Sequence, residues 1–167
     1  MSDDDLIDGA RALLDLCRAR KLKIAAAESC TGGLLAATLT EIPGSSDVFE
    51  RGFVTYSNEA KQELLDVPGA TLDRHGAVSR ETAEAMARGA LAHADADLAV
   101  SITGIAGPGG AMPGKPVGLV HFAAAARDGR LIQREKRFGD IGRSQVRQAS
   151  VAEAMAMLGE LAEGGRA

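Results

Sequence analysis

A three-layer α/β/α sandwich with a mixed sheet is what this chain of 167 residues is expected to form. Helix-period and strand-like segments alternate over its first two-thirds, the pattern of strands joined by crossover helices. An Asp128-Gly129 pair then joins two further strand-like runs and adds an antiparallel hairpin to the sheet. The length fits one domain over residues 1–167. Apolar residues at 46% and charged residues at 25% exclude a disordered, collagen-like or disulfide-framework chain.

Each element has a local cause. Leu6, Ala10, Leu13, Leu14 and Cys17 recur at three- and four-residue steps and predict a helix, with Ser2 as cap and Asp3, Asp4 and Asp5 at its positive end. Arg18, Arg20, Lys21 and Lys23 suit a solvated C-terminal end. Residues 24–27 form a short apolar strand, and Glu28-Ser29-Cys30-Thr31-Gly32-Gly33 turns it into a helix carried by Leu34, Leu35, Thr38, Leu39 and Ile42, which stops before Pro43-Gly44. Residues 52–56 are a second strand. Ser57 or Asn58 caps a helix through Leu65, and Pro68-Gly69 ends it. A helix from Ser79 to about residue 94 precedes a strand at 98–103 and the loop Gly104-Ile105-Ala106-Gly107-Pro108-Gly109-Gly110. Strands at about 117–125 and 130–138 form the hairpin, a helix runs from about 142 to 161, and residues 163–167 are expected to fray. Residues 109–116 are either a lid over a site or a surface connection.

Charge and composition narrow the function. Lys and Arg number 19 against 23 Asp and Glu, a net −4, which argues against a dedicated nucleic-acid binder. No apolar run reaches the roughly 18 residues of a membrane-spanning helix, so no membrane partner is expected. The acidic start is unlike the basic start of a secretory or transit segment, which predicts a cytoplasmic protein with Cys17 and Cys30 reduced. There is no Trp and only one Tyr, Tyr56, so the core is built from small aliphatic side chains.

Open α/β sheets bind ligands beyond the C-terminal ends of their strands. Three strands here end in polar turns that could share a cleft: Ser29 to Gly33, Tyr56-Ser57-Asn58, and Thr103 to Gly107. In the first, Ser29 is a candidate nucleophile beside helix-terminal amides able to hold an oxyanion; the alternative is that Ser29 or Thr31 is simply an N-cap. Cys30 is either a second nucleophile or a buried, inert thiol. In the second, Lys61 lies one turn from Asn58 and becomes a base if burial lowers its pKa; otherwise it is an exposed helix lysine. His75 in a polar loop, His93 near a helix end and His121 in a strand read as structural or solvated. The third turn is not a phosphate-binding P-loop, since it lacks the closing Gly-Lys-Ser/Thr, but its glycines allow a ligand to pass closely. Lys115 or Arg143 could meet a phosphate, or both could be surface charge. No metal-ligand spacing is present.

These same segments resemble the CinA C-terminal domain family. The resemblance rests on Ala27-Glu28-Ser29-Cys30-Thr31-Gly32-Gly33, on Gly44-Ser45-Ser46, and on the run from Gly52-Phe53-Val54-Thr55-Tyr56 through Ser57-Asn58-Glu59-Ala60-Lys61. His75-Gly76-Ala77-Val78-Ser79, the run Ser101-Ile102-Thr103-Gly104-Ile105-Ala106-Gly107-Pro108 and Lys115-Pro116-Val117-Gly118 extend it, in order, over nearly the whole chain. It implies an α/β/α fold and nicotinamide-nucleotide amidase activity, in which nicotinamide mononucleotide and water give nicotinate mononucleotide and ammonia in pyridine-nucleotide salvage. It also implies no metal or other cofactor and self-association, with a dimer expected. Carried over by motif, Ser29 is the nucleophile, Lys61 the general base and Tyr56 an assisting hydroxyl. Cys30, Thr31, Gly32, Gly33, Asn58, Thr103, Gly104, Ile105, Ala106 and Arg143 are the substrate-binding positions. The N-terminal domain of full-length CinA proteins has no counterpart in the sequence, so a stand-alone amidase is expected. Two other readings remain: a nucleotide-binding module without catalysis, and a serine–lysine amidase for another small carboxamide.

Overall fold

In a computed structural model, which describes residues 2–164, five strands form one sheet. They are β1 (Ile24–Glu28), β2 (Phe49–Val54), β3 (Leu98–Gly104), β4 (Leu119–Ala126) and β5 (Leu131–Arg137), in the order β2-β1-β3-β4-β5. β1 pairs parallel with both β2 and β3, while β3–β4 and β4–β5 are antiparallel, so the sheet is mixed as expected. Its helices are α1 (Asp3–Ala19), α2 (Leu34–Thr40), α3 (Asn58–Leu65), α4 (Gly69–His75), α5 (Arg80–Ala92) and α6 (Arg143–Glu163).

The period-2 alternation of the strands sorts these helices into two layers. Ile24 and Ala26 of β1 pack with Leu14 of α1, Leu35 of α2 and Leu158 of α6. Ala25 and Ala27, pointing the other way, pack with Leu65 of α3, Leu72 of α4 and Met86 of α5. β1 is buried on both faces, which is why it reads as an unbroken apolar run. Small side chains in the sheet bring the helices close, and Gly89 shows how close: a Cβ there would overlap the Leu65 carbonyl. Gly89→Ala is therefore expected to destabilise the protein by about 1–3 kcal/mol through overpacking, read as a lower urea midpoint.

Ser2 caps α1 as anticipated and forms a reciprocal box with Asp5: the Asp5 N–H donates to Ser2 Oγ at 3.2 Å and the Ser2 N–H to Asp5 Oδ2 at 3.1 Å. Several boundaries differ from expectation. α4 was not anticipated, and it makes His75 the last residue of a helix rather than part of a polar loop. Only Leu72 of its seven residues is buried, so it carries no readable periodicity. β2 begins at Phe49 and ends at Val54, which leaves Tyr56 beyond the strand. β4 begins at Leu119, because Gly118 at φ 90° breaks the extended run from Val117. Glu163 ends α6 and Gly164 is its C-cap; the rest of the tail expected to fray, residues 165–167, lies outside the described residues. No helix among the described residues is long and apolar enough to cross a membrane.

The path of the chain makes the crevice. From β1 it crosses through α2 on one face to reach β2, then through α3, α4 and α5 on the other face to reach β3. The first connection leaves β1 for β2 on one side of it, and the second carries the chain from β2 over the opposite face to β3 on its other side, which opens a gap at the C-terminal end of β1. Register levels the three parallel strands there, with Glu28 opposite both Val54 and Ile102.

Candidate active site

Ser29 is the first residue past β1, and the sheet's hydrogen bonding continues one step to hold it: its N–H donates to the Ile102 carbonyl at 2.9 Å. On the other side the Thr55 N–H donates to the Glu28 carbonyl at 2.8 Å. Ser57 caps α3, its Oγ accepting from the Ala60 N–H at 3.0 Å, and settles which of Ser57 and Asn58 opens that helix. α3 then projects Lys61 inward. Lys61 is 1% exposed, despite lying in a helix of otherwise polar appearance. Its Nζ stands 2.9 Å from Ser29 Oγ and donates to the Thr55 carbonyl at 2.8 Å.

Burial lowers the Lys61 pKa from its usual 10.5, with Cys30 opposing that shift. No carboxylate hydrogen-bonds to Lys61 among the described residues. The alcohol of Ser29 thus faces an amine biased toward its neutral, proton-accepting form. Cys30 is buried, and burial pushes its thiol up to about 11, so it is a poor nucleophile near neutrality.

A cavity of about 300 Å³ opens in front of this pair. Of the expected positions, Ser29, Cys30, Tyr56, Asn58, Lys61, Thr103, Gly104, Ile105, Ala106 and Arg143 all line it. Thr31, Gly32 and Gly33 lie behind the cavity wall and do not line it. Thr31 is wholly buried and offers its carbonyl to Arg147 Nη2 at 2.8 Å. The Gly32 N–H is already donated to the Ser29 carbonyl at 2.9 Å, and Gly33 is the N-cap of α2. Behind this turn two first-turn amides of α2 are engaged: Leu35 and Ala36 donate to Glu28 Oε1 and Oε2 at 2.9 and 3.0 Å. An internal carboxylate occupies that helix terminus.

Donors remain across the cavity. The Ile105 N–H is used by the Leu119 carbonyl at 2.9 Å, but those of Ala106 and Gly107, both on the cavity wall, have no partner among the described residues. Gly107 adopts φ 83°, a conformation glycine reaches without strain. Gly104 is glycine for a different reason than ligand passage: a Cβ would stand 2.8 Å from the Leu119 carbonyl oxygen of the neighbouring strand. The Thr103 hydroxyl donates to the Ala77 carbonyl at 2.7 Å and so ties the start of α5's layer to the site.

Tyr56 and Arg143 bridge the cavity mouth. Arg143 Nη2 donates to the Tyr56 hydroxyl and Nη1 to the Gly107 carbonyl, both at 2.8 Å. Tyr56 is 61% exposed, and its hydroxyl pairs with this guanidinium rather than with Ser29 or Lys61. Arg143 uses two of its five N–H donors in these contacts and sits in the first turn of α6, where no acidic side chain opposes it. Lys115 takes no part: its Nζ donates to the His75 carbonyl at 2.7 Å and pins the 109–116 segment to the end of α4. That segment still reaches the cavity through Gly109, Gly110 and Met112. Glu28 and Arg147 are the residues that sequence reasoning assigned no role; the even position of Glu28 in β1, on the α2 side, was the available signal. Among the described residues, no cluster of three His, Cys, Asp or Glu side chains could hold a metal ion.

Comparison with known proteins agrees with this architecture. The family described as the CinA C-terminal domain matches residues 8–162. A CinA-like protein of Mycobacterium marinum is 52% identical over 155 residues, which cover 93% of this chain and 34% of that protein. A CinA-like protein of a Synechococcus strain is 49% identical over 158 residues, 94% of this chain and 37% of that protein. The chain thus spans about a third of the length of the curated relatives it matches. Among solved structures, competence/damage inducible protein CihA from Agrobacterium tumefaciens superposes with a TM-score of 0.93 at 51% identity, covering 96% of each chain. A CinA superfamily protein from Klebsiella pneumoniae gives 0.90 at 36% identity, covering 99% of this chain and all of that one.

Proposed function

Because the chain belongs to the CinA C-terminal domain family, we propose that it is an amidohydrolase that converts nicotinamide mononucleotide and water to nicotinate mononucleotide and ammonia. The observation that carries this reading is the 2.9 Å contact between a buried lysine amine and a serine hydroxyl at the floor of a cavity. Neutral Lys61 takes the Ser29 proton as Oγ attacks the carboxamide carbon. The Ala106 and Gly107 amides, unpartnered on the cavity wall among the described residues, are the donors this reading assigns to the resulting oxyanion, and one such donor contributes about 3 kcal/mol. Collapse breaks the C–N bond, and the leaving group departs as ammonia with the proton that Lys61 carries. Lys61, neutral again, then draws a proton from water, which attacks the nicotinoyl ester and releases the acid as Ser29 recovers its hydrogen.

Tyr56 in this scheme shapes the mouth and steadies Arg143 instead of relaying protons. Arg143 is suited to the 5′-phosphate: a guanidinium with free N–H groups at the rim, beside the positive end of a 21-residue helix. Arg143→Ala is expected to raise KM for the nucleotide about tenfold or more, with kcat changed far less, since a charge-assisted contact contributes roughly 1.5–3 kcal/mol. Steady-state kinetics with the nucleotide and its dephosphorylated nucleoside checks this, because the nucleoside should be indifferent to the substitution. Self-association as a dimer is part of the same proposal and is read by light scattering.

Ammonia release from nicotinamide mononucleotide by the purified protein, with chelator present, tests the activity itself. Binding of the nucleotide without ammonia would leave a nucleotide-binding module. Release from other carboxamides in preference would leave an amidase of different specificity.

A further inference from the structure

We propose that Glu28 is a positioning residue that holds the Ser29 hydroxyl against Lys61, an inference that rests on the serine–lysine reading above. Glu28 ends β1 and is 1% exposed. Each of its carboxylate oxygens accepts one amide from the first turn of α2, Leu35 at 2.9 Å and Ala36 at 3.0 Å. α2 has no cap of its own, for its N-cap is Gly33, with no side chain to contribute. The carboxylate therefore closes the chain across the five-residue turn that begins at Ser29, and the Gly32 N–H to Ser29 carbonyl bond at 2.9 Å tightens it from within.

The main chain of the same residue reaches toward the base. The Glu28 carbonyl accepts from the Thr55 N–H at 2.8 Å, and the Thr55 carbonyl accepts from Lys61 Nζ at 2.8 Å. The nucleophile follows β1 and the base lies on α3, and Glu28 holds the segment behind each, the first through its side chain and the second through its backbone. Burying a charge is costly unless every oxygen is satisfied, and a seven-residue helix on its own is a small return for that cost. Two N–H donors aimed at the site require an acceptor-only group. A glutamine would turn its NH₂ against one of them.

The test compares wild type, Glu28→Gln and Glu28→Asp by two readouts: labelling of Ser29 with a fluorophosphonate, with Ser29→Ala as blank, and kcat and KM for nicotinamide mononucleotide. Both are expressed per folded molecule, with thermal unfolding measured alongside. In Glu28→Gln, labelling and kcat are expected to fall together by about tenfold or more, with KM little changed, because sub-ångström misplacement of a nucleophile is costly. Glu28→Asp withdraws the carboxylate by one methylene and is expected to slow both about threefold or more, and it serves if Glu28→Gln does not fold. Undiminished labelling of folded Glu28→Gln, or of Glu28→Asp in its place, overturns the inference alone, as does a raised KM at unchanged kcat. Failure of the wild-type protein to label at Ser29 removes the serine–lysine reading and this inference with it.

Discussion

Ser29→Ala is expected to abolish ammonia release, lowering kcat by roughly 10⁴-fold or more while the fold stays intact, as removal of a hydrolase nucleophile does. The fold should survive because the backbone of Ser29, not its side chain, supports the structure: its N–H and carbonyl bond Ile102 and Gly32, and among the described residues its hydroxyl hydrogen-bonds to Lys61 alone. Two neighbours could in principle substitute, and the structure sets both aside. Thr31 is wholly buried, does not line the cavity, and its hydroxyl has no partner among the described residues. Cys30 does line the cavity, but burial pushes its thiol up to about 11, which keeps it protonated and a poor nucleophile near neutral pH. Cys30→Ala and Thr31→Val should therefore retain most activity. Wild-type-like turnover by a folded Ser29→Ala protein would sink the serine mechanism. Mass spectrometry of a trapped ester on the Ser29 peptide would support it directly.

Most of this site was legible as three strand ends because parallel strands obey a general rule: their C-terminal turns converge. The register, with Glu28 level with Val54 and Ile102, is that rule in practice. The first and third turns, with their hydroxyls and glycines, announced themselves. What sequence could not reveal was direction. Lys61 sits among Glu59, Gln62 and Glu63, and nothing in that pattern says that its face of α3 turns inward against Thr55. The glycines after Ser29 looked like an open anion cradle, yet Glu28 fills the helix terminus behind them. A glutamate directly before a nucleophile reads as solvated or catalytic, and only the backbone shows it capping a helix seven residues on. Arg147 was passed over for the same reason: its partner, the Thr31 carbonyl, is 116 residues away. α4 escaped because one buried leucine makes no pattern, and the first half of β2 because Glu50 and Arg51 on an edge strand carry no apolar alternation. Contacts between distant segments, and elements too short or too exposed to show a period, are what the chain hides.

Lys61→Arg should be as damaging as loss of the serine, although it keeps the positive charge. The mechanism needs an amine that can shed its proton near neutral pH, and a guanidinium cannot. Burial has already moved the Lys61 pKa down from 10.5, so the fraction of enzyme with a neutral base grows as pH rises through that lowered value. The acid limb of kcat/KM should accordingly titrate below an ordinary lysine, in a profile that reports the unliganded protein. Stability carries the same signature with a definite sign. Between the lowered folded pKa and 10.5 the unfolded chain binds a proton that the folded protein does not, so the wild type gains stability as pH rises through that window. Lys61→Met has no such proton to lose. Relative to it, the wild type should be least stable at low pH and should gain progressively up to about 10.5, whatever the offset set by lost hydrogen bonds to Ser29 and Thr55. Urea unfolding of both proteins across pH 6–10 measures the difference. A difference that stays flat, together with an activity profile lacking an acid limb below the usual lysine range, would mean that position 61 holds its proton throughout and that some other group takes the hydrogen of Ser29.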